Sequence, residues 1–351
     1  MSAHATVQEG RATDFDPAAL RGFLAGFLGH PVRSLDIRAT HGGMSNPTYF
    51  VDADGWRAVL RKQPGMKLAK SAHAIDREFR VLKALAASDV PVPQAYHYHE
   101  DPSLLGTPFY LMEWLDGRVF TEYATPGLTP AQRRKLYASM CETMARLHRL
   151  DFRAVGLGDY GREGNYFRRQ ISRWSDLWRQ YRKDSDDNPD LDRMIVWLDE
   201  RIPDSELLSL CRGDFRIGNM MFHPTEQRVV GVLDWELSTL GHPLVDVAFN
   251  TQAWHMARDE NGGLAGEDLD SLGIPAERDY LEDYYRHAGS SERMSDFHRV
   301  FAMFRGSVGA AGVAVRGELG NSTLPDSARV GRFLARAYAK RGMQIADRSG
   351  L

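Results

Sequence analysis

One stretch in the second half of the chain constrains the fold more than any other. A strand–loop–strand pattern runs from Leu210 to Trp235, and its apolar segments flank a polar loop that carries Asp214 and Asn219. Short apolar runs bounded by turn residues are typical of buried strands. The second apolar run, Val229 to Leu233, leads directly into Asp234. The pattern therefore predicts acidic and amide side chains presented at the ends of two short buried strands.

These side chains suit phosphoryl transfer to an alcohol. That reaction needs a carboxylate to orient the acceptor hydroxyl and take its proton, together with oxygen ligands for Mg²⁺. Asp214 and Asn219 have the Asp-x₄-Asn spacing that serves as base and metal ligand in protein kinases. Asp234 stands where a second metal-binding aspartate is expected. Asp-x₄-Asn alone is weak evidence, because both residues are common in loops and helix caps.

The rest of the chain divides into two parts of different character. Residues 1–115 combine helical segments with short β-like stretches, among them a hairpin with arms at Tyr49 to Val51 and Trp56 to Arg61. Residues 116–351 are mostly helical, with a long helix opening at Thr129-Pro130. We therefore predict an α+β fold with a small antiparallel sheet in the N-terminal part and a larger helical C-terminal part.

Composition limits the partners. Of 351 residues, 43% are apolar and the formal net charge is −3, which gives no general attraction to nucleic acid or an anionic membrane. Only Cys141 and Cys211 are present, too few for a disulfide framework, so a reducing, cytoplasmic location is expected. No apolar run is long enough to span a bilayer. The 12 histidines lack metal-ligand spacing and are interpreted as structural.

The whole pattern resembles a known family. Gly213-Asp214-Phe215-Arg216-Ile217-Gly218-Asn219, followed by Leu233-Asp234-Trp235-Glu236, is similar to the aminoglycoside phosphotransferase and choline kinase superfamily. The segment from Glu236 to Asp246 looks like the subgroup that also occurs fused to acyl-CoA dehydrogenases. The resemblance implies a protein-kinase-like bilobal fold, ATP and Mg²⁺ as cofactors, Asp214 as catalytic base, and Asn219 and Asp234 as metal ligands. It also implies that Asp246 braces the catalytic loop.

The sequence departs from the family pattern at one position. Relatives usually have histidine two residues before the catalytic aspartate, and this chain has Arg212. Arginine is larger and permanently charged, so it would form an ion pair with a neighbouring acid or alter the loop. A nucleotide-binding pseudokinase is therefore an alternative to an active enzyme, and a partner protein of an acyl-CoA dehydrogenase is another. A protein kinase is disfavoured because no activation segment is recognisable.

Several residues of the N-terminal part are candidates for the nucleotide. Gly42-Gly43-Met44-Ser45-Asn46 reads as a turn between strands, and the resemblance places it above the ATP phosphates, with Ser45 and Asn46 as contacts. Arg61 ends a strand where kinases place a phosphate-binding lysine, with Lys62 as the alternative. Because neighbouring strand residues face opposite sides, only one of the two can point toward the phosphates. Glu78 is expected to pair with that cation.

The segment that joins the two parts is the candidate adenine site. Met112-Glu113-Trp114-Leu115 reads as a β-like stretch that ends at a turn. The resemblance implies that the Glu113 carbonyl and the Leu115 N–H hold the base, with Met112 packing behind it.

The acceptor is less constrained, because the fold does not name the substrate. Trp174, Trp178 and Tyr181 share one helix face, which indicates either core packing or a wall of the acceptor pocket. Arginines on the same helix suit an anionic acceptor. The acidic run from Asp184 to Asp192 reads as a solvated loop. A hydroxy acid or hydroxyacyl-CoA is therefore predicted ahead of an aminoglycoside as the small-molecule hydroxyl acceptor.

Overall fold

The computed structural model describes residues 13–40, 46–65, 75–162, 164–182, 187–205, 207–320 and 326–349. Within these ranges the strands are β1 (Leu35–Ala39), β2 (Thr48–Ala53), β3 (Trp56–Lys62), β4 (Ala95–His99), β5 (Phe109–Glu113), β6 (Ser209–Cys211), β7 (Met220–Phe222), β8 (Val229–Val232) and β9 (Thr239–Gly241). The helices are α1 (Pro17–Leu28), α2 (Ile75–Leu85), α3 (Pro130–Arg149), α4 (Tyr166–Tyr181), α5 (Pro189–Asp199), α6 (Leu244–Thr251), α7 (Leu269–Leu272), α8 (Glu277–Ala288), α9 (Asp296–Glu318) and α10 (Ser327–Arg348).

The chain forms two compact units. The first unit runs to Arg118 and also contains residues 221–224 and 230–236, and the second unit contains residues 119–220, 225–229 and 237–351. The predicted α+β character is confirmed, because an antiparallel sheet dominates the first unit and helices dominate the second. The nucleotide-binding and catalytic roles assigned to residues 1–115 and 116–351 stay predictions.

The first unit is built on a five-stranded antiparallel sheet with the order β1-β2-β3-β5-β4. The predicted hairpin is confirmed: β2 and β3 pair from Thr48↔Arg61 to Ala53↔Trp56, and the tight turn uses Asp54 and Gly55 at positive φ. Helix α1 is capped by Asp16 and ends before Gly29, which adopts the left-handed conformation. Apolar residues of α1 and of the sheet form one core beneath the strands.

The second unit has a helical core. Residues of α4, α5, α9 and α10 pack together there, including Phe167, Trp178, Met194 and Phe301. Small residues let α9 and α10 approach closely: a Cβ added at Gly331 would lie 2.5 Å from the Ala314 nitrogen. None of the helices that the structure describes is long and apolar enough to cross a membrane.

The prediction that the acidic run from Asp184 to Asp192 is a solvated loop is wrong for Asp190 and Asp192. Asp190 and Asp192 lie in the first turn of α5, where carboxylates interact favourably with the helix dipole. Asp192 accepts a hydrogen bond from Trp178 Nε1 at 2.9 Å and forms an ion pair with Arg182 at 3.0 Å. Residues 183–186 lie outside the described ranges.

His298 predicts how acid affects stability. It is buried at the start of α9, its Nδ1 accepts the Ser295 N–H at 3.1 Å, and burial lowers the pKa of His298 to about 3. In the unfolded chain His298 therefore binds a proton near pH 6.5, whereas in the folded chain it binds one only near pH 3. Stability contributed by neutral His298 is complete above pH 6.5 and declines as the pH falls. We expect a loss of about 2 kcal/mol at pH 5.

The variant His298→Gln tests this expectation by urea unfolding at pH 7.5 and pH 5. Glutamine keeps an acceptor for the cap and does not titrate. The wild-type protein should lose more unfolding free energy between the two pH values than the variant. Equal losses in both proteins would contradict the assignment.

Candidate active site

Asp214 lies on a loop that follows β6 and is held by its own backbone geometry. Gly213 adopts φ +87°, a region that favours glycine, and a Cβ there would collide with the Leu237 carbonyl oxygen. The loop therefore requires glycine immediately before Asp214. A larger residue would displace the loop or Leu237.

Asp246 fixes this loop from α6. Its carboxylate is fully buried and accepts the Arg212 N–H at 2.6 Å and the Gly213 N–H at 2.8 Å. Charge-assisted hydrogen bonds to backbone N–H groups are the strong kind, so Asp246 determines where the loop runs. The bracing contact implied for Asp246 is thus present.

A histidine supports Asp246 in turn. His148 Nε2 lies 3.4 Å from the Asp246 carboxylate, and its Nδ1 lies 2.7 Å from the Tyr284 hydroxyl. Cys211 lies in the same cluster, and the three possible ligand atoms are within 4.8 Å of one another. Burial and the Asp246 charge raise the pKa of Cys211 well above its usual range, so its side chain is a thiol at neutral pH. We interpret the cluster as structural support that sequence reasoning did not find.

Asn219 positions the Asp214 side chain. Its Nδ2 donates to Asp214 Oδ2 at 2.8 Å and to the Asp214 carbonyl at 2.9 Å. Both donors of the amide are used on Asp214, which leaves the amide oxygen Oδ1 as the atom suited to a cation. The predicted Asp-x₄-Asn pair is therefore assembled on one short loop of the second unit.

Arg212 forms the ion pair considered from the sequence, and its partner is Asp214 itself. Arg212 is fully buried, its Nη1 donates to the Asp214 carbonyl at 2.6 Å, and it lies 3.2 Å from Asp214 Oδ2. Arg216 Nε approaches the same oxygen at 3.2 Å from a side chain that is 44% exposed. Two guanidinium groups and one amide thus hold a single carboxylate oxygen.

Arg61 is the centre of a second polar cluster, in the first unit. It lies 2.9 Å from Glu78 Oε2, 2.6 Å from Asp234 Oδ1 and 3.9 Å from Glu236 Oε2. Burial disfavours its charge, but the three carboxylates outweigh that cost and raise the pKa of Arg61 further, so it stays charged. Burial raises the pKa of Glu78, and Arg61 opposes this shift. Asp234 has φ 60°, a left-handed conformation that aspartate tolerates better than most residues.

Other contacts orient this cluster. Glu78 accepts hydrogen bonds from Asn46 Nδ2 at 2.6 Å and from the Tyr110 hydroxyl at 3.0 Å. The Asn46 Oδ1 atom is buried without a hydrogen-bond partner in the described residues. Ser45, the other predicted phosphate contact, lies outside the described residues.

Lys62 faces away from this cluster. Its Nζ is buried, donates to the Leu105 carbonyl at 2.9 Å and pairs with Asp14 at 3.0 Å. Because neighbouring residues of β3 face opposite sides of the sheet, Arg61 faces Glu78 and Lys62 lies on the opposite side. The structure brings together Arg61, Glu78 and Asp234, and leaves Lys62 out.

The candidate adenine segment lies at the end of β5. Met112 and Glu113 pair with Val59 and Ala58 of β3, and both are half-buried. Leu115 approaches β8, where a Cβ added at Gly231 would collide with its Cδ1 atom. Glycine at position 231 thus gives Leu115 room beside the strand that leads to Asp234.

The aromatic face of α4 contributes to the core. Trp178 is buried in the helical cluster of the second unit, and Trp174 and Tyr181 pack against it while partly exposed. The core-packing interpretation holds for Trp178. Trp174 and Tyr181 keep surface that a ligand could contact.

Comparison with known proteins decides the family. A model of the phosphotransferase enzyme family, APH, matches residues 36–308. The chain belongs to this family. The predicted resemblance is confirmed, and the kinase-like fold with it.

The relatives also confirm the subgroup. The chain is 36% identical over 337 residues to acyl-CoA dehydrogenase family member 10 of Mus musculus, covering 95% of this chain and 31% of that protein. It is 36% identical over 345 residues to family member 11 of Gallus gallus, covering 95% and 44%. The chain thus spans less than half the length of these curated relatives.

Solved structures agree on the fold. A crystal structure from Ralstonia eutropha, provisionally assigned as an aminoglycoside phosphotransferase, has 38% identity and a TM-score of 0.84, covering 95% of this chain and 99% of that one. An aminoglycoside phosphotransferase APH(4)-Ia mutant in ternary complex with ADP and hygromycin B has 17% identity and a TM-score of 0.60, covering 92% and 99%. The second likeness concerns the fold alone.

Removing Arg61 should destabilise the protein, because it leaves the buried Glu78 carboxylate without its cation. We expect Arg61→Met to lower the unfolding free energy by about 3 to 5 kcal/mol. Arg57, also on β3, pairs with Asp116 at 2.8 Å in an exposed ion pair, so Arg57→Met should cost less than about 1 kcal/mol. Chemical denaturation of both variants measures the difference, and equal costs would refute the role of burial.

Arg212 and Arg216 offer a second matched comparison, since both lie 3.2 Å from Asp214 Oδ2. Arg212→Met removes a buried charge and one of the donors to the Asp214 carbonyl, so it should cost about 3 kcal/mol. Arg216→Met removes an exposed contact and should cost less than about 1 kcal/mol. Thermal unfolding distinguishes the two. A larger effect for Arg216→Met would mean that the loop is held from the solvent side.

Proposed function

We propose that this chain is an ATP- and Mg²⁺-dependent phosphotransferase that phosphorylates a hydroxyl group of a small molecule. The observation that carries the proposal is the loop of Asp214. Asn219 donates to its carboxylate, and Asp246 holds the backbone of Arg212 and Gly213. A carboxylate fixed in this way is suited to align an acceptor hydroxyl and take its proton.

Asp214 is the catalytic residue in this proposal. Its carboxylate receives the hydroxyl proton as the acceptor oxygen bonds to the γ-phosphorus of ATP. The bond from that phosphorus to the bridging oxygen breaks, and ADP leaves. Catalysis is mainly positioning and charge stabilisation, because no covalent enzyme intermediate is needed.

The donor set fits Mg²⁺. Asn219 offers an amide oxygen and Asp234 a carboxylate, and Mg²⁺ prefers oxygen ligands of this kind. We propose these two residues as the ligands. When bound, the ion neutralises charge on the nucleotide phosphates.

The nucleotide contacts come from the first unit. We propose that Arg61, oriented by Glu78 at 2.9 Å, contacts the phosphates, and that Ser45 and Asn46 contact the phosphates as well. Met112, Glu113 and Leu115 are proposed to hold the adenine.

The acceptor is proposed to be a hydroxy acid or hydroxyacyl-CoA. Two observations support this class over an aminoglycoside: the arginines of α4, and the likeness over 95% of the chain to acyl-CoA dehydrogenase family members 10 and 11. A pseudokinase is the second candidate, favoured by the arginine contacts to Asp214, because two guanidinium groups already occupy the carboxylate oxygen Oδ2.

Turnover of ATP with Mg²⁺ tests the proposal against hydroxy acids, hydroxyacyl-CoAs, amino alcohols, sugars and aminoglycosides. We expect phosphorylation of one class and a decrease of about 10²- to 10⁴-fold in kcat for Asp214→Ala. Asp204→Ala, an exposed aspartate of the same unit, is the control and should keep wild-type rates. ATP binding without phosphorylated product in any class would favour the pseudokinase.

A further inference from the structure

Arg216, two residues after Asp214, is a cation of the catalytic loop that is open to solvent. Its Nε atom lies 3.2 Å from Asp214 Oδ2, and its side chain is 44% exposed. Arg212 approaches the same oxygen at 3.2 Å with a side chain that is only 1% exposed. Of these two guanidinium groups, that of Arg216 is therefore the one that a bound molecule can reach.

Gly218 leaves room for the guanidinium of Arg216 on this loop. A Cβ atom added at Gly218 would lie 3.0 Å from Arg216 Nη1, closer than an ordinary van der Waals contact. Gly218 lies in a 3₁₀ turn over Ile217–Asn219, a conformation that does not itself require glycine. The guanidinium thus lies beside the backbone at Gly218 and beside the Asp214 carboxylate, at a position that the loop itself defines.

The contacts of Asp214 indicate where the reacting group would lie. Asn219 Nδ2 donates to Oδ2 at 2.8 Å, and Arg212 and Arg216 each lie 3.2 Å from that same oxygen. The acceptor hydroxyl is therefore expected at the other carboxylate oxygen, Oδ1. A hydroxyl bound there lies about 2.7 Å from the carboxylate, and the attacked phosphorus lies about 3 to 3.5 Å from the hydroxyl oxygen. The phosphoryl group is thus within reach of the terminal nitrogens of Arg216.

We propose that Arg216 is a catalytic residue that stabilises the phosphoryl group during its transfer. The inference rests on the proposed function and adds a residue to it. As the acceptor oxygen bonds to phosphorus and the bond to the bridging oxygen of ATP breaks, negative charge spreads over the three equatorial oxygens. The guanidinium of Arg216 donates hydrogen bonds to these oxygens. The acceptor proton goes to Asp214, and Arg216 keeps its own protons because guanidinium is a very weak acid.

Two rival explanations of Arg216 predict different results. If Arg216 only positions the Asp214 carboxylate, a glutamine that keeps an N–H donor and lacks the charge should keep the activity. If Arg216 blocks that carboxylate, as in a pseudokinase, removal of the charge should raise the rate. If Arg216 stabilises the phosphoryl group, the positive charge is the required property, so lysine should replace arginine better than glutamine does.

Steady-state kinetics of the full chain with ATP, Mg²⁺ and the acceptor that the turnover panel identifies compares Arg216→Gln with Arg216→Lys. The control is Arg228→Gln, because Arg228 is 55% exposed and pairs with Glu226 at 2.6 Å in the same unit. We expect Arg216→Gln to lower kcat by about 10²- to 10³-fold with KM almost unchanged. Lysine should restore part of the rate, and the control should keep it. A rate for Arg216→Gln at or above that of the wild type would overturn the inference.

A binding measurement makes the test independent of turnover. Calorimetry with Mg²⁺ compares ADP alone with ADP plus aluminium fluoride, an anionic mimic of the phosphoryl group in transfer. The wild-type protein and the control should bind ADP with the mimic at least about 10-fold more tightly than ADP alone. Arg216→Gln should lose this excess affinity and bind ADP normally.

The other outcomes of the binding measurement are equally informative. An excess affinity that Arg216→Gln retains, an excess that is absent from the wild-type protein, or equal weakening of both ligands in the variant would overturn the inference and leave the phosphotransferase proposal intact. Wild-type protein that binds neither ligand would instead count against the proposed function itself.

Discussion

The buried carboxylate of Asp246 is the contact on which the candidate active site depends. A fully buried carboxylate is expensive unless strong donors surround it, and the N–H groups of Arg212 and Gly213 provide them. These hydrogen bonds have two effects. They stabilise the buried carboxylate of Asp246, and they restrict the motion of the loop. Asp214 and Asn219 follow on the same loop, so their geometry is set before any ligand binds.

Three arginines contact this loop, and their environments differ although their side chains are the same. Arg212 holds Asp214 from inside the fold, and Arg216 approaches the same oxygen from the solvent side. Arg305 reaches the loop from α9, and its Nε and Nη1 atoms have no hydrogen-bond partner among the described residues. The three side chains differ in burial and in the acceptors that they contact. An exposed guanidinium keeps its hydration, whereas a buried one loses it and is stable only when oxygen acceptors replace the water.

The first unit also contains a buried arginine, but there the carboxylates outnumber the guanidinium group. Three carboxylates gather around Arg61, and the arginine remains charged because they outweigh the cost of its burial. Tyr110 and Asn46 donate to Glu78 and so limit where it can turn. The cluster is thus ordered through Glu78, and the ion pair expected between Glu78 and the cation of β3 is present.

The sequence alone determined the local structure and the family. The Asp16 cap, the hairpin at Asp54-Gly55 and the capped start of α3 follow from short-range chemistry, and the Asp214 to Asp234 pattern identified the family. Alternation along β3 showed that Arg61 and Lys62 must separate, but only the packed sheet decided which one meets Glu78. Asp246 lies 34 residues from Arg212, and Arg305 lies 92 residues from Gly213. Local sequence preferences do not predict such partners. The burial of Asp246 and Arg305, and the groups that each can reach, are decided only when distant segments pack together.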